Sequence, residues 1–503
     1  MNIRLKKFPY RYMEYEKRMM HREIAAILPS AQISNETKDI ISIDNDSDVS
    51  SDVIELLVLF QQYSIDNGPW EYTIQGKFEN EDLGGKARQH TRYSSHGLHE
   101  YKGKFNPQIV RIMLNILDLN GKKVLDPFDG SGTSILECAH IGTQCVGTDI
   151  NPLACFIANT KVNALSIDID EARRVITGII REPDMDSVKL DDSLRMQYLK
   201  RWMPEDNLKA IEYISSKVDE ITSKENIKNL LLVIASDLIR DYSNQEPSDL
   251  RIRKRISPFP EIPLLMAFDE ECTKLLNKIE YIQKQFGIIR SDNHAICCDI
   301  KNARNPEGRK LFDGAITSPP YVTALPYIDT QRISLVWLGL CEADEIMSLE
   351  GTLIGSREFK NHDKNQWISL METNGESLPE DVYNLILDMQ NSLSDTDGFR
   401  KRAMPSLTYR YFADMKNMFC NVKKMLKVNA PYALIVGHNK TTLGGKVFHI
   451  DTPDLLGKIA VECGWELEEL IPLDTYKRYG LNAKNGINSE TMIILRNTKI
   501  RTR

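Results

Sequence analysis

Two short stretches concentrate the residue types that can do chemistry. The first is Asp126-Pro127-Phe128-Asp129-Gly130-Ser131-Gly132-Thr133, which follows the apolar run KVL. Its glycines let backbone approach a ligand closely, and Asp149, closing the next apolar run QCVGTDI, is placed to take ribose hydroxyls. Those features fit any adenosine-containing cofactor. They equally describe a tight turn with an N-cap, since Ile135 stands where G-x-G-x-x-G has its third glycine. Asp126 sharpens the choice of ligand. A turn that cradles a bare phosphate relies on the helix N-terminus attracting the anion, whereas a carboxylate just ahead of it suits a ligand with a cationic part. The phosphate-loop pattern G-x-x-x-x-G-K-[ST] does not occur in the chain.

The second stretch is Thr317-Ser318-Pro319-Pro320-Tyr321, directly after the apolar GAI. Two prolines offer no backbone donor and hold the chain stiff and extended. A small hydroxyl and the adjoining carbonyls then present acceptors at the carboxyl end of a strand, where α/β sheets bind ligands. Tyr321 supplies a flat face for stacking. Read alone, the same residues describe a proline-terminated strand with a packed tyrosine.

Taken together, DPF-x-GSGT and SPPY resemble the signature of the amino-group DNA methyltransferases. That resemblance implies S-adenosylmethionine as cofactor and S-adenosylhomocysteine as product. It extends to HEYKGKFNPQIVR, placing Lys104, Phe105 and Pro107 at the cofactor pocket, to GTDI with Asp149 and Ile150, and to CCDI with Asp299 near the adenine amino group. Pro127, Phe128, Gly130, Ser131, Gly132 and Thr133 form the cofactor turn by the same resemblance, and Asp126 binds the ammonium of the methionine part. The implied catalytic residues are Ser318, Pro319, Pro320 and Tyr321. An exocyclic amino nitrogen is a poor nucleophile because its lone pair is delocalised into the ring. Acceptors from Ser318 and the Pro319 carbonyl can pull it towards tetrahedral geometry while Tyr321 stacks on the base, and transfer then rests on positioning. The chain has no Pro-Cys dipeptide, the nucleophile motif of cytosine carbon-5 enzymes.

The implied partner is double-stranded DNA with a flipped target base, and a cognate restriction or defence protein would fit a restriction-modification setting. Arg251, Arg253, Lys254 and Arg255 in DLRIRKR are the candidate phosphate contacts; a solvated basic face accounts for them equally well. Asp329 and Arg332 either order the pocket or form a buried ion pair beneath it, the second reading being favoured, and the Gly/Asn-rich stretch Lys477–Glu490 reads as a loop near the DNA. Serine before Pro-Pro-Tyr points to the amino group of cytosine, adenine N-6 being the alternative. Many SPPY-type enzymes carry that motif ahead of the glycine turn, so the order here keeps an RNA guanine-amino methyltransferase as a further alternative. A non-catalytic DNA-binding scaffold is a third.

The elements that position these residues follow from periodicity. Strand, helix and strand within about 30 residues, from KKVLDPF through TSILECAHI to QCVGTDI, form a βαβ unit and therefore a parallel sheet. The fold class expected is α/β, a Rossmann-like methyltransferase sheet, mostly parallel with an antiparallel last strand. It carries helical insertions and an N-terminal extension. The extension spans 1–90, with an amphipathic helix over Arg11–Leu28 and an exposed loop over the acidic Asn35–Ser51. Core segments follow at 91–168, 291–340 and 406–503. Two helical insertions lie between them, 169–290 as the possible target-recognition unit and 341–405. A chain of 503 residues has room for this. Nine scattered cysteines without C-x-x-C or a Cys/His cluster indicate reduced thiols and no zinc or other metal site. No apolar run approaches a membrane span and the basic, polar N-terminus has no signal core, so a cytoplasmic location is expected. The net charge of −7 does not mark a nucleic-acid binder, nor does it exclude one.

Overall fold

The computed structural model describes residues 1–80, 90–101, 103–322, 328–359, 363–474 and 489–499. At its centre is a seven-stranded sheet: β1 (Lys123–Asp126), β2 (Gln144–Asp149), β3 (His294–Cys297), β4 (Gly314–Thr317), β5 (Pro431–Gly437), β6 (Trp465–Asp474) and β7 (Ser489–Asn497). The strand order is β6-β7-β5-β4-β1-β2-β3. Neighbours from β5 to β3 run parallel, and β7 lies antiparallel to both β5 and β6. This is the Rossmann-like sheet expected, with the expected reversal at its end. β1 and β4 are adjacent at the centre, so the glycine turn and Thr317–Tyr321, about 190 residues apart, leave the same end of the sheet side by side. β1, β4 and β5 read as continuous apolar runs because helices or insertions cover both faces.

The N-terminal residues form a sheet of their own. Strands Ala31–Glu36, Ile40–Asn45, Asn2–Lys7, Phe60–Ile65 and Glu71–Tyr72 pair antiparallel in that order. The loop expected over Asn35–Ser51 is therefore corrected. Within IISIDN, Ile41 and Ile43 are fully buried while Asp44 points to solvent. That is strand alternation, hidden in sequence by the acids on the outer face. The helix expected over Arg11–Leu28 is present at Glu14–Ile27 and packs on the helix Pro107–Ile116. Across that contact the buried Glu23 accepts from Asn115 Nδ2 at 2.6 Å and from Val58 N at 3.2 Å. Arg22 ties the unit to β6 through a two-pronged pair with Glu469, at 2.8 and 2.7 Å.

Five helices from Ile169 to Phe286 fill the first insertion and share one apolar cluster that includes Ile211, Leu230, Phe268 and Leu276. In the second, short helices at Ile346–Thr352, Asp363–Thr373, Glu380–Asn391 and Phe399–Arg402 lead into the long helix Met404–Met425. That helix starts eight residues before the expected FADMKN segment, with Pro405 in its first turn, where a missing N–H costs nothing. A hairpin, Asn439–Leu443 with Lys446–Ile450, turns on Gly444-Gly445 and was not anticipated. Both glycines have positive φ, as a tight two-residue hairpin turn requires.

Gly132 is the most constrained point of the cofactor-type turn. Its φ is +83°, and a Cβ there would lie 2.7 Å from both Cα and Cβ of Ala158 on the helix Pro152–Ala164. Neither the conformation nor the clash can be relieved by a side-chain rotation. Gly132→Ala is expected to lower stability by about 2–3 kcal/mol, measurable by urea denaturation. A loss below about 0.5 kcal/mol would show that the helix yields freely.

Candidate active site

The loops leaving β1 and β2 are bound to each other before any ligand is considered. Asp129 N donates to Thr148 O at 3.0 Å, Thr148 Oγ1 to Pro127 O at 2.9 Å, and Gly130 N to Asp149 Oδ2 at 3.0 Å. Asp149 is held from the other side by Asn151 N at 2.8 Å. Beneath the turn, Lys161 is fully buried, and its Nζ donates to Ser131 O at 2.7 Å and Ser131 Oγ at 3.1 Å.

Asp126 stands where the two motifs meet. It is 1 % exposed. Oδ1 accepts from Phe128 N at 3.0 Å and Thr317 Oγ1 at 2.5 Å, and Oδ2 accepts from Ser134 Oγ. Thr317 Oγ1 in turn accepts from Phe128 N at 3.2 Å. A carboxylate offers about four acceptor sites, so the three protein donors leave about one for a ligand.

These loops wall a cavity of about 850 Å³. Of the residues expected from sequence, Lys104, Phe105, Asp126, Pro127, Phe128, Gly130, Ser131, Thr133, Asp149, Ile150, Asp299, Ser318 and Pro320 line it. Pro107, Gly132, Pro319 and Tyr321 do not. Pro107 opens a buried helix, Gly132 caps the helix Thr133–His140, and Pro319 is buried behind Ser318. Tyr321 donates from its hydroxyl to Glu490 Oε1 at 2.7 Å, which fixes the ring against β7. The cavity also takes in residues the motifs did not mark: Tyr101, Gly103, Asp129, Cys298 and Ile300, and from the second insertion Thr352, Leu353 and Ile354. Thr317, Ser134, Lys161 and Glu490 act one layer out. A lysine near the end of the largely apolar helix LACFIANTKV is the visible signal for Lys161, while Glu490 gives none.

Four acids and one lysine line this cavity. Burial pushes Asp126 and Asp149 up to about 6 despite their donors. Asp129 is pushed well above the carboxylate range, first by burial and then by the charges of Asp126 and Asp149. Both of its carboxylate oxygens are buried without a hydrogen-bond partner among the described residues. Asp299 is partly compensated by Lys301 at 3.7 Å, which also pairs with Asp414 at 3.2 Å. Lys104 is drawn away from the acids. Its Nζ donates to the carbonyls of His96 and Thr91 at 2.9 and 3.3 Å, and burial lowers it to about 8. The wall thus has buried negative capacity and little cation of its own, so a ligand with positive charge and several donors would complete it.

The one trio of potential metal ligands converging among the described residues is elsewhere, at His96, Glu137 and His140, whose ligand atoms lie within 4.8 Å of one another. Burial alone would raise Glu137. Hydrogen bonds from His140 and His96, at 3.2 and 2.6 Å, and Arg111 Nε at 2.9 Å overcome that and hold it well below the usual range. With the Arg111 guanidinium already on Glu137, the trio reads as an ion network under the turn.

The basic loop Asp249–Arg255 divides on inspection. Arg255 is consumed as a strut: its guanidinium donates to Asp241 O at 2.7 Å, Ser243 O at 3.1 Å, Ser257 O at 3.0 Å and Pro258 O at 2.6 Å. Arg253 pairs with Asp249 at 3.0 Å. Arg251 and Lys254 are exposed, with no side-chain partner among the described residues. Asp329 and Arg332 form the expected ion pair at 2.6 Å, and Glu350 joins it at 3.0 Å. Residues 477–488 of the expected Gly/Asn-rich loop lie outside the described residues.

Residues 31–160, which include the glycine turn and Asp149, match the N6_N4_Mtase model, described as DNA methylase. The chain is similar to the Type II methyltransferase M.MvaI of Kocuria varians, with 24% identity over 403 residues, covering 76% of this chain and 84% of that one. It is also similar to the Type II methyltransferase M.MjaII of Methanocaldococcus jannaschii, with 30% identity over 157 residues, covering 30% of this chain and 29% of that one. The crystal structure of TrmN from Thermus thermophilus aligns over 98% of this chain and 99% of that one at 11% identity. The TM-score of that alignment is 0.32.

The raised acids have a consequence for stability. Asp149 has a folded pKa of about 6, above the ordinary value of 3.8. Its favourable protonated form is fully retained at low pH, and the contribution is lost as pH rises through about 6. In urea denaturation of the ligand-free chain, the stability of wild type relative to Asp149→Asn is therefore expected to fall between pH 4 and pH 7. A difference that stays level, or rises, would contradict the assigned environment.

Proposed function

We propose that this chain, an amino-group DNA methyltransferase by family, methylates the exocyclic amino group of cytosine at specific sites in duplex DNA. The observation that carries the proposal is that Ser318 and Pro320 open onto the same cavity as Asp126, Gly130, Asp149 and Asp299. A methyl donor on the acidic side and an amino group on the SPPY side would meet in that one space.

S-adenosylmethionine is the cofactor, and it supplies a methyl group activated on a sulfonium. The residues present fit it. Asp149 and Gly130 are braced where a ribose would lie, and Asp299 is at the tip of the neighbouring β3 loop. Asp126 keeps about one acceptor site towards the cavity, and Asp129 has an unsatisfied buried carboxylate there. The ammonium and sulfonium provide the positive charge that this wall lacks. Gly130, with φ +55°, has its Cα face turned to the Tyr101 ring, which walls the cavity together with Gly103, Lys104 and Phe105.

For the transfer, the chain supplies position. Ser318 and the Pro319 carbonyl serve as acceptors for the amino hydrogens of the base. Among the described residues, Ser318 Oγ has only a long contact, 3.4 Å to Ile435 O, which leaves its hydroxyl able to turn to a substrate. Tyr321, anchored through Glu490, offers its ring for stacking. Fixing an in-line approach in this way removes the entropic part of the barrier. The leaving proton passes to solvent from a nitrogen that is acidic once methylated. The target base reaches the site by flipping, at an unstacking cost of a few kcal/mol. Serine as the first residue of the SPPY tetrapeptide supports cytosine over adenine. The Type II names of the similar proteins support a restriction-modification role with a cognate nuclease.

Nucleoside analysis of DNA treated with the chain and S-adenosylmethionine is expected to yield N4-methylcytosine. N6-methyladenine would transfer the proposal to the adenine alternative, and label found only in RNA would overturn it. Ser318→Ala and Tyr321→Ala are expected to keep cofactor affinity by calorimetry while losing about 10²-fold or more in transfer rate. Normal turnover in either variant would remove that residue from the mechanism.

A further inference from the structure

Two thiols outside the cavity touch each other. Cys420 lies five residues before the end of the helix Met404–Met425, and Cys463 directly follows the helix Thr452–Glu462. Their sulfurs are 3.0 Å apart although 43 positions separate them in sequence. Both are partly exposed, whereas Cys138, Cys145, Cys155 and Cys272 are buried. Neighbouring bonds fix the approach from both sides. Trp465 Nε1 donates to Phe419 O at 3.1 Å, Lys423 Nζ donates to Gly464 O at 2.7 Å, and Cys463 Sγ lies 3.5 Å from Lys416 O. A disulfide places its sulfurs about 2.0 Å apart, a short step for two groups already in contact.

Positive charge gathers on the same sulfurs. Lys416, Lys423 and Lys424 share the helix of Cys420. Lys416 Nζ donates to the carbonyls of Glu376 and Ser377 at 2.9 and 2.6 Å. Lys423 Nζ also reaches Asn497 Oδ1 at 2.7 Å and Thr498 O at 2.9 Å. These acceptors are neutral, so they leave the ammonium charges uncancelled. The hydrogen bond from Cys463 draws the Cys420 thiol down to about 6 against partial burial, and the three lysines add to that. The same hydrogen bond, followed by burial, pushes Cys463 up, with Glu462 opposing Lys416. One sulfur is therefore the thiolate of the pair and the other its proton donor. A partly exposed thiol in an electropositive setting is a reactive one, whereas a thiol that only packs needs neither feature.

We propose that Cys420 and Cys463 form a redox modification site: a hydroperoxide oxidises Cys420, and Cys463 resolves the product to a disulfide within the chain. The Cys420 thiolate attacks a peroxide oxygen. The S–O bond forms as the O–O bond breaks, and the departing hydroxide takes a proton from solvent to become water. The Cys463 sulfur then attacks the sulfenic sulfur. The S–S bond forms, the S–O bond breaks, and hydroxide leaves with the Cys463 proton as a second water. Two electrons pass from the sulfur pair to the peroxide, and an external dithiol reverses the bond by exchange. Prompt resolution keeps Cys420 from advancing to the irreversible sulfinic and sulfonic acids. The bond fastens the helix Met404–Met425 to the start of β6. Neither thiol lines the cofactor cavity, so the site stands apart from methyl transfer and does not rest on the proposed function.

The test uses the full chain, reduced with dithiothreitol, freed of it, and treated in dilute solution with a small excess of hydrogen peroxide. Peptide mapping is expected to show Cys420 joined to Cys463 within one chain, and the linked peptide should vanish when dithiothreitol is restored. Cys463→Ser is expected to leave Cys420 as a sulfenic acid that dimedone captures. Cys420→Ser is expected to slow peroxide consumption by about tenfold or more. The wild-type mapping needs no variant, so it decides the proposal even where a variant folds poorly. Absence of the Cys420–Cys463 peptide would overturn the proposal, as would bonds formed only between chains or Cys420 driven to sulfinic acid while Cys463 stays free. Peroxide consumption by Cys420→Ser at the wild-type rate would overturn it as well.

Discussion

One buried carboxylate holds the functional end of this molecule together. Asp126 closes β1 and accepts from the start of the glycine turn (Phe128 N), from the helix that follows it (Ser134 Oγ) and from the last residue of β4 (Thr317 Oγ1). Those donors belong to segments about 190 residues apart in sequence, and without them the cofactor turn and the SPPY loop would be independent loops on adjacent strands. A buried carboxylate needs such donors to stay ionised, and the donors need it to stay paired. The same charge that orders the two loops also lines the cavity, so one group both couples the loops and shapes the wall a ligand would meet.

Around this junction the cavity is left short of positive charge. Lys161 is spent on Ser131 and Lys104 on two carbonyls, while both Asp129 carboxyl oxygens are buried without a hydrogen-bond partner among the described residues. The chain tolerates three acids pushed upward by burial in exchange for a site that favours a cationic, donor-rich ligand. Perturbed acids of this kind are common where pKa values are tuned for function, and buried acids on this wall disfavour a ligand that would bring phosphate to it.

The sheet and most of the cavity were legible in the sequence because glycine turns, prolines and strand-end acids act locally. Their spacing within ten residues dictates both conformation and chemistry. What stayed hidden depends on contacts between distant segments. Thr317 heads the SPPY stretch in sequence, but its bond to Asp126 exists only because β4 lies beside β1, and Glu490 has no local mark at all. The N-terminal sheet was missed for a different reason: the acids that decorate its outer face, Asp44 among them, outweighed the alternation of Ile41 and Ile43. In the basic loop, sequence could not distinguish Arg255, locked on four carbonyls, from Arg251 and Lys254, which point to solvent. The second insertion's share of the cavity wall, Thr352 to Ile354, follows from packing and carries no motif.

Thr317 is the critical side chain here, since it lies behind the cavity and bonds the carboxylate that joins the two loops. Thr317→Val keeps volume and strand propensity but removes the 2.5 Å donor to Asp126. Calorimetric titration with S-adenosylhomocysteine is expected to show affinity weakened by about tenfold or more. The pH at which binding is half lost should also move upward from about 6, as Asp126 becomes easier to protonate. Unchanged affinity and an unchanged pH profile would contradict the claim that this one carboxylate couples the two loops.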